Sequence, residues 1–283
     1  MADARGRLRF LQRRSERGPR RLRRGVSLLP SLFTLANMFC GYACIVYAMR
    51  GEYETAAPFI GFAIVLDMLD GRIARLTGTA SDFGMEFDSL ADVISFGVAP
   101  AILAFSWGLT PLGRIGWAVG FLFVSAAALR LARFNIQSAA GGDKRYFVGM
   151  PSPAAAAVPA ATVYAYPYGL LDYNHALLAL PMVIVPALLM VSTIRFRSFK
   201  TIDLQVRRPY SVLFLCAVSL VLLVWHTQAV LAGLAYVYLL SAFIGLALTR
   251  FRHRGHNSHA ADHAPTTTPA DIDGEPTRDR AVR

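Results

Sequence analysis

Residues 67–92 read DMLDGRIARLTGTASDFGMEFDSLAD, and this stretch decides both how the chain folds and what chemistry it can carry. It joins the end of one apolar segment to the start of the next. It nevertheless contains Asp67, Asp70, Asp88 and Asp92 at the edges of those segments. A carboxylate near the centre of a bilayer costs about 2.5–3.5 kcal/mol on insertion scales. These four aspartates are therefore the first candidates for a functional site.

The spacing of the four aspartates predicts that they converge. Asp67 and Asp70 are three positions apart, so they share one face of a helix. Asp88 and Asp92 are four positions apart and share one face of the next helix. A connection near residues 76–83, which contains glycine, threonine and serine, would end the first helix and start the second. The resulting antiparallel hairpin brings the two acidic faces together.

Four unprotonated carboxylates at close range repel one another, and one or two divalent cations would remove that repulsion. Hard oxygen ligands favour Mg²⁺ or Mn²⁺, and such ions commonly grip phosphates. For a single aspartate, an ion pathway in a transporter or pairing with Arg72 or Arg75 is a serious alternative. For the whole set, the spacing favours a metal–diphosphate site at the cytoplasmic membrane face. Asp82 and Glu86 are expected in the connecting turn, facing water and without a role.

Two glycines and an arginine accompany the aspartates. Gly71 follows Asp70 directly, and Gly84 comes shortly before the second acidic pair. A glycine lets a nucleotide or a diphosphate approach the backbone closely, because it has no Cβ. Arg75 lies one helical turn beyond Gly71, and its planar guanidinium can donate to a phosphate or a base.

The composition of the chain is typical of a membrane protein. Apolar residues make up 55% of the 283 residues, and charged residues make up only 17%. Eight apolar segments, each near the ~20 residues that cross the hydrocarbon core as a helix, predict one all-α bundle. They are 30–49, 55–75, 87–108, 113–134, 151–169, 175–194, 210–226 and 228–249. The fifth contains several prolines and is expected to be kinked or partly re-entrant.

Positive charge is distributed very unevenly along the chain. If the N-terminus is cytoplasmic and all eight segments span, 27 of the 29 Lys and Arg residues lie inside. This asymmetry predicts that both termini are cytoplasmic. Residues 1–25 and 251–283 are expected to be disordered tails around a catalytic membrane domain at 26–250. The net charge of +11 is interpreted as an attraction to anionic lipid, so no nucleic-acid partner is expected.

The acidic stretch resembles the signature of the CDP-alcohol phosphatidyltransferase family, D-x2-D-G-x2-A-R-x8-G-x3-D-x3-D. The matching positions are Asp67, Asp70, Gly71, Ala74, Arg75, Gly84, Asp88 and Asp92. The resemblance implies a core of six membrane helices, two divalent metal ions and a CDP-linked lipid donor. It also implies that Asp67, Asp70 and Asp88 are metal ligands, and that Asp92 is both a ligand and the base for the acceptor hydroxyl. Gly71, Ala74, Arg75 and Gly84 would line the cytidine-diphosphate pocket.

Three other stretches resemble the phosphatidylserine synthase branch of that family: residues 29–41, 128–135 and 149–154. Members of the branch often carry Pro-Asn where this chain has Pro30-Ser31, so no polar role is assigned to Ser31. The branch implies CDP-diacylglycerol as donor, L-serine as acceptor, and phosphatidylserine and CMP as products.

Two pairs of polar residues at helical spacing could extend this site. Arg130 and Arg133 are three positions apart near the cytoplasmic end of the fourth segment. They could bind a lipid phosphate or the carboxylate of serine, whereas snorkelling to the headgroups is the alternative for one of them. Thr34 and Asn37 are also three positions apart and could face the nucleotide. A hydrogen bond to a neighbouring helix is the alternative for this pair.

The expected mechanism is a metal-assisted in-line attack of the serine hydroxyl on the lipid-side phosphorus, with Asp92 taking the proton. The nearest alternative is the same chemistry with glycerol phosphate, an inositol phosphate or choline as acceptor. A more distant alternative is an ion-coupled membrane transporter. The protein is expected to be a multi-pass protein of the plasma (inner) membrane with its active site at the cytoplasmic face. By resemblance alone, it is expected to be a homodimer.

Overall fold

The computed structural model describes residues 28–77, 81–139, 146–192, 195–197 and 225–241. Within these ranges the chain is helical except for two short strands and the connecting turns. The first helices are α1 (Leu28–Met49), α2 (Tyr53–Thr77) and α3, which begins with Asp82–Asp92 and continues to Leu112. They are followed by α4 (Arg114–Ala139), β1 (Tyr146–Val148), α5 (Ser152–Ala165), α6 (Tyr173–Val191), β2 (Arg195–Arg197) and α7 (Thr227–Ser241).

The described residues lie in the first of two compact units, Met1–Phe243, and the second unit, Ile244–Arg283, lies outside them. Both predicted tails, 1–25 and 251–283, also lie outside the described residues. The same is true of the predicted seventh segment except for its last two residues.

Four stretches of the described chain are long and apolar enough to cross a membrane. They are Ser31–Met49, Phe83–Leu112, Arg114–Gln137 and Tyr173–Val191. Helix α2 has 25 residues and is therefore about 37 Å long, but its C-terminal third carries the charged acidic stretch. These helices confirm a helical membrane protein. The total of eight spans and the orientation of the termini stay predictions.

Helix α3 begins earlier than the sequence predicted. Asp82 and Glu86 belong to its first turns, so their assignment to the connecting turn was wrong. The reason is Ser81, whose Oγ accepts a hydrogen bond from the backbone N–H of Gly84 at 3.1 Å and so caps the helix. Glu86 is exposed, as predicted.

Two π-helical turns interrupt α3. The first, Val93–Val98, follows Asp92 directly, and the second is Phe105–Leu109. A π turn places an extra residue in the helical circuit and is frequent at functional sites. The first π turn therefore sets how the residues after Asp92 face the neighbouring helices.

Helix α5 is short and buried. It has 14 residues and is about 21 Å long, less than the ~30 Å of a hydrocarbon core. Ala155, Ala156 and Ala160 are among its buried residues, and their small side chains let neighbouring helices approach closely. The predicted segment 151–169 was therefore too long for a single helix, since α5 ends at Ala165.

The structure also contains a short antiparallel ribbon, which the all-α prediction did not include. Strand β1 pairs with β2 so that Phe147 lies opposite Phe196. Next to it, Gly149 has φ +85, and a Cβ there would lie 2.5 Å from the Met190 carbonyl oxygen. The backbone N–H of Met150 donates to the Leu189 carbonyl at 3.0 Å. These contacts fix the start of α5 against the end of α6.

Most of the described helices bury one face and expose large apolar side chains on the other. Phe96, Leu103 and Phe123 are fully buried in the core. In contrast, Phe121 is 74% exposed and Leu178 is 77% exposed. Large apolar side chains that are this exposed are favourable in hydrocarbon, whereas the surface of a soluble protein would be polar at these positions. This distribution agrees with a membrane bundle.

Candidate active site

Three of the four predicted aspartates meet in the structure. Asp67 of α2 and Asp88 and Asp92 of α3 each offer a carboxylate oxygen, and these three atoms lie within 4.8 Å of one another. The i, i+4 spacing on α3 puts its two carboxylates on one face, and α2 turns its own carboxylate toward them. The predicted helical hairpin is therefore what assembles the cluster, which we call the aspartate triad.

Asp70 lies beside the triad but has its own partner. It is buried, and its Oδ2 accepts a hydrogen bond from the Thr34 hydroxyl of α1. Its charge still acts on Asp88, so the fourth carboxylate belongs to the same electrostatic environment. The structure thus divides the predicted set into three clustered carboxylates and one that faces α1.

Asn37 connects α1 to the triad. It is fully buried, and its Nδ2 approaches the Asp92 Oδ1 at 3.4 Å. Its own Oδ1 has no hydrogen-bond partner among the described residues. Thr34 and Asn37 therefore both make contacts between helices, which is the alternative raised from the sequence. In both cases the partner is one of the four aspartates predicted as metal ligands.

The contact between Asn37 and Asp92 depends on a close approach of α1 to α3. The Ser95 hydroxyl donates to the Asn37 carbonyl at 2.9 Å. Gly41 lies one helical turn further along α1, and a Cβ there would come within 2.7 Å of the Ser95 Oγ. Ser95 was missed in the sequence, although its position one turn after Asp92 is a signal that could have identified it.

The two predicted arginines separate in the structure. Arg130 is partly buried, and its Nη1 donates to the Ser152 Oγ at 2.7 Å, at the start of α5. The charges of Asp92 and Asp67 act on its guanidinium. Arg133 instead donates to the Val191 carbonyl at 3.2 Å, at the end of α6. A helix end presents unpaired carbonyls, so a basic side chain is stabilising there.

The predicted nucleotide-binding positions are only partly described. Gly71 is exposed on α2 immediately after Asp70. Gly84 is part of the cap of α3, and a Cβ there would lie 3.1 Å from the Ser81 Oγ. Ala74 and Arg75 belong to α2, but their side chains lie outside the described part of the structure.

The donor set of the triad fits a divalent cation. The Asp88 Oδ1 is buried, and no described residue donates a hydrogen bond to it. None of the three carboxylates forms an ion pair with a described Lys, Arg or His. Clustered carboxylate oxygens without protein donors suit Mg²⁺ or Mn²⁺, which prefer hard oxygen ligands.

The sequence profile of the CDP-alcohol phosphatidyltransferases matches residues 27–192. This protein belongs to the CDP-alcohol phosphatidyltransferase family. The match runs from the start of α1 to the residue after α6, so six of the described helices of this family member lie within it. The resemblance seen in the acidic stretch is thereby confirmed, and α7 lies beyond the matched segment.

Several curated proteins are similar to this family member. The CDP-diacylglycerol–serine O-phosphatidyltransferase of Helicobacter pylori is 46% identical over 176 residues, covering 62% of this chain and 74% of the relative. The enzyme of the same name from Bacillus subtilis is 34% identical over 175 residues, covering 62% of this chain and 93% of the relative. The archaetidylserine synthase of Methanothermobacter thermautotrophicus is 38% identical over 170 residues, covering 59% and 69%.

Proposed function

We propose that this protein transfers the phosphatidyl group of CDP-diacylglycerol to L-serine, giving phosphatidylserine and CMP. The observation that carries the proposal is the aspartate triad, with its buried and unsatisfied Asp88 oxygen, inside the segment that matches the family. The names of the bacterial relatives support CDP-diacylglycerol as donor and serine as acceptor. The archaeal relative is also named as a synthase of a serine lipid.

The proposed cofactor is a pair of divalent ions, Mg²⁺ or Mn²⁺. Asp67, Asp88 and Asp92 would hold one ion, and Asp70 would contribute to the second. When bound, such ions supply positive charge to the diphosphate and to the oxygen of the departing CMP. The crowding of three carboxylates around an unsatisfied oxygen supports this assignment.

The protein's own side chains would then position the reactants. Asp92 accepts the proton of the serine hydroxyl, and the oxygen attacks the lipid-side phosphorus in line with the leaving CMP. Asn37 orients the Asp92 carboxylate, and Thr34 orients Asp70. Arg130 supplies positive charge beside Asp92. Catalysis of this kind depends mainly on positioning and electrostatics.

We also propose that Gly71, Ala74, Arg75 and Gly84 line the CDP pocket, with Thr34 and Asn37 on its α1 side. For Arg133, the contact with the Val191 carbonyl supports a role in capping the end of α6 more than a role in binding substrate.

We place the protein in the inner membrane with its site at the cytoplasmic face, because 27 of its 29 Lys and Arg residues fall on that side of the predicted spans. A homodimer stays a prediction from the family resemblance.

The proposal is tested by following CMP release from CDP-diacylglycerol with purified protein and Mg²⁺ or Mn²⁺. L-Serine, glycerol phosphate, an inositol phosphate and choline are each supplied as acceptor. We expect release that requires serine and metal, and that falls roughly 10²- to 10⁴-fold in Asp92→Asn, because a positioned base contributes about that factor. Release with another acceptor alone would move the enzyme to a sister activity. No release from folded protein with any acceptor would overturn the enzymatic proposal and favour a transporter.

A further inference from the structure

Arg130 is held at the junction of three helices. It lies on α4, its Nη1 donates to Ser152 at the start of α5, and its charge interacts with Tyr238 of α7. Ser152 is itself completely buried. The guanidinium is therefore fixed in place beside the aspartate triad and cannot extend freely to the headgroups, as a snorkelling arginine would.

The guanidinium has donors left for a ligand. An arginine side chain carries five N–H donors, and the hydrogen bond to Ser152 uses one of them. Within the described part of the chain Arg130 forms no ion pair, although Asp92 and Asp67 are near enough for their charges to act on it. A partly buried cation of this kind is strongly stabilised by an anion that it can grip with two parallel hydrogen bonds.

Helix α7 adds a wall to this site from outside the segment that matches the family. The Tyr236 hydroxyl and the Thr162 Oγ1 of α5 lie 2.8 Å apart, and Ala235 and Leu239 are buried in the core. These contacts hold α7 against α5. On the same helix, Tyr238 packs against the core and lies within electrostatic range of Arg130.

The position of Arg130 relative to Asp92 indicates which anion it would bind. If Asp92 takes the proton of the acceptor hydroxyl, the rest of the acceptor must lie close to Asp92. In serine, only the Cβ and Cα carbons separate the hydroxyl from the carboxylate. Asn135 of α4 donates to the Ser89 Oγ at 2.9 Å, so α4 packs against α3 between Asp88 and Asp92. Arg130, which lies on α4 and senses the charge of Asp92, is therefore well placed to receive that carboxylate.

We propose that Arg130, positioned by Ser152 and Tyr238, binds the carboxylate of the acceptor amino acid, and that α7 closes this acceptor site. The inference rests on the proposed serine-transferring function. Arg130 is the binding residue, whereas Ser152 and Tyr238 act through it as positioning residues. The site would explain how serine is chosen over an amino alcohol, which has no carboxylate for Arg130 to bind.

The test compares L-serine with L-serinamide, in which a neutral amide replaces the carboxylate, using metal-loaded full-length protein and CMP release as the readout. In Arg130→Gln we expect the KM for serine to rise roughly 10- to 100-fold, the range of a lost hydrogen bond to a charged group. The KM for CDP-diacylglycerol should stay constant, and the preference for serine over serinamide should collapse. Arg130→Lys should restore part of that preference, because it keeps the charge but not the planar fork.

Ser152→Ala should raise the serine KM about 3- to 10-fold with little change in kcat, because Arg130 loses the hydrogen bond that positions it. Tyr238→Phe should raise the serine KM as well, because it removes the polar group of α7 that lies within electrostatic range of Arg130. The matched control is Val237→Ala, which shortens an exposed side chain next to Tyr238 on the same helix and leaves the contacts of Arg130 and Tyr236 in place, so its serine KM should not change. Wild-type protein that is inactive with serine would contradict the proposed function itself. Active wild type in which Arg130→Gln raises the KM for CDP-diacylglycerol, or keeps its preference for serine, would overturn this inference alone.

Discussion

The Asp88 Oδ1 is buried without a hydrogen bond from any described residue, and such an unsatisfied oxygen costs about 1–3 kcal/mol. Asp67 and Asp92 place further carboxylate oxygens within 4.8 Å of it and of each other. Fixed negative charges at this range disfavour the folded state unless a cation joins them. At the scale of single residues, the fold therefore carries a cost that metal binding would remove.

This cost predicts a metal-dependent stability that one substitution abolishes. Saturating Mg²⁺ or Mn²⁺ at about 100 times Kd should stabilise the folded wild type by ~2.7 kcal/mol, or roughly 5–10 °C in Tm for a chain of this size. In Asp88→Asn the shift should be largely lost, because a ligand and its charge are gone. Thermal unfolding in detergent, with and without chelator, measures it. Glu86→Gln is the control, since it removes an exposed charge from the same helix; an equal loss of the shift there would contradict a specific site.

Residues within one hairpin could be predicted from the sequence, and residues joined by distant packing could not. The aspartate triad followed from helical spacing, because the two helices are consecutive and a short connection fixes how they face each other. Arg130 and Arg133 share a helix face, yet one contacts Ser152 and the other the end of α6. That difference depends on where α5 and α6 pack, and the residue spacing within α4 carries no information about this packing.

At the scale of helices, the site depends on how closely α1 packs against α3. A Cβ on Gly41 would lie 2.8 Å from the Ser95 Cα, so no larger residue fits without moving one helix. The same contact aligns Asn37 with Asp92. Small residues at such crossings are the usual means of close packing in membranes.

Gly41→Ala should therefore impair both stability and catalysis. The added methyl group meets backbone as well as a side chain, and overpacking of this kind costs about 1–3 kcal/mol. The helices must separate, so Asn37 loses its contact with Asp92 and kcat should fall. Gly61→Ala on α2 is the matched control, because a Cβ there meets nothing within 4 Å. Thermal unfolding and CMP release measure both effects, and equal behaviour of the two variants would contradict the role given to this crossing.

The existence of the described helices could be predicted from hydropathy, but their ends could not. Ser81 starts α3 earlier than its apolar residues do, because a side-chain cap is a local hydrogen bond that hydropathy does not register. Similarly, α5 ends before its apolar segment does. The ribbon of β1 and β2 joins residues about fifty positions apart, and neither strand is long enough to show a periodic pattern of its own.

At the scale of the whole molecule, the predicted orientation depends on which helix ends lie on the same side as the triad. The triad lies near the end of α2 and the start of α3, and Arg130 lies toward the end of α4. In an antiparallel bundle these ends fall on one side, and the sequence that follows α4 and α6 is basic. The connection between α1 and α2 belongs to the opposite side and contains Arg50. The distribution of positive charge predicts that the side with the triad is cytoplasmic.

Cysteine labelling in intact cells would test this orientation. In a variant without the native cysteines that retains serine-dependent CMP release, Glu52→Cys and Glu86→Cys each place one exposed thiol on opposite sides of the predicted membrane. A membrane-impermeant maleimide should modify Cys at 52 in intact spheroplasts but modify Cys at 86 only after the membrane is opened. The reverse pattern would place the triad outside the cell, where it could not reach the cytidine-containing headgroup of the proposed donor lipid. Labelling of both positions in intact cells would contradict a span between them, since α2 separates the two sites along the chain.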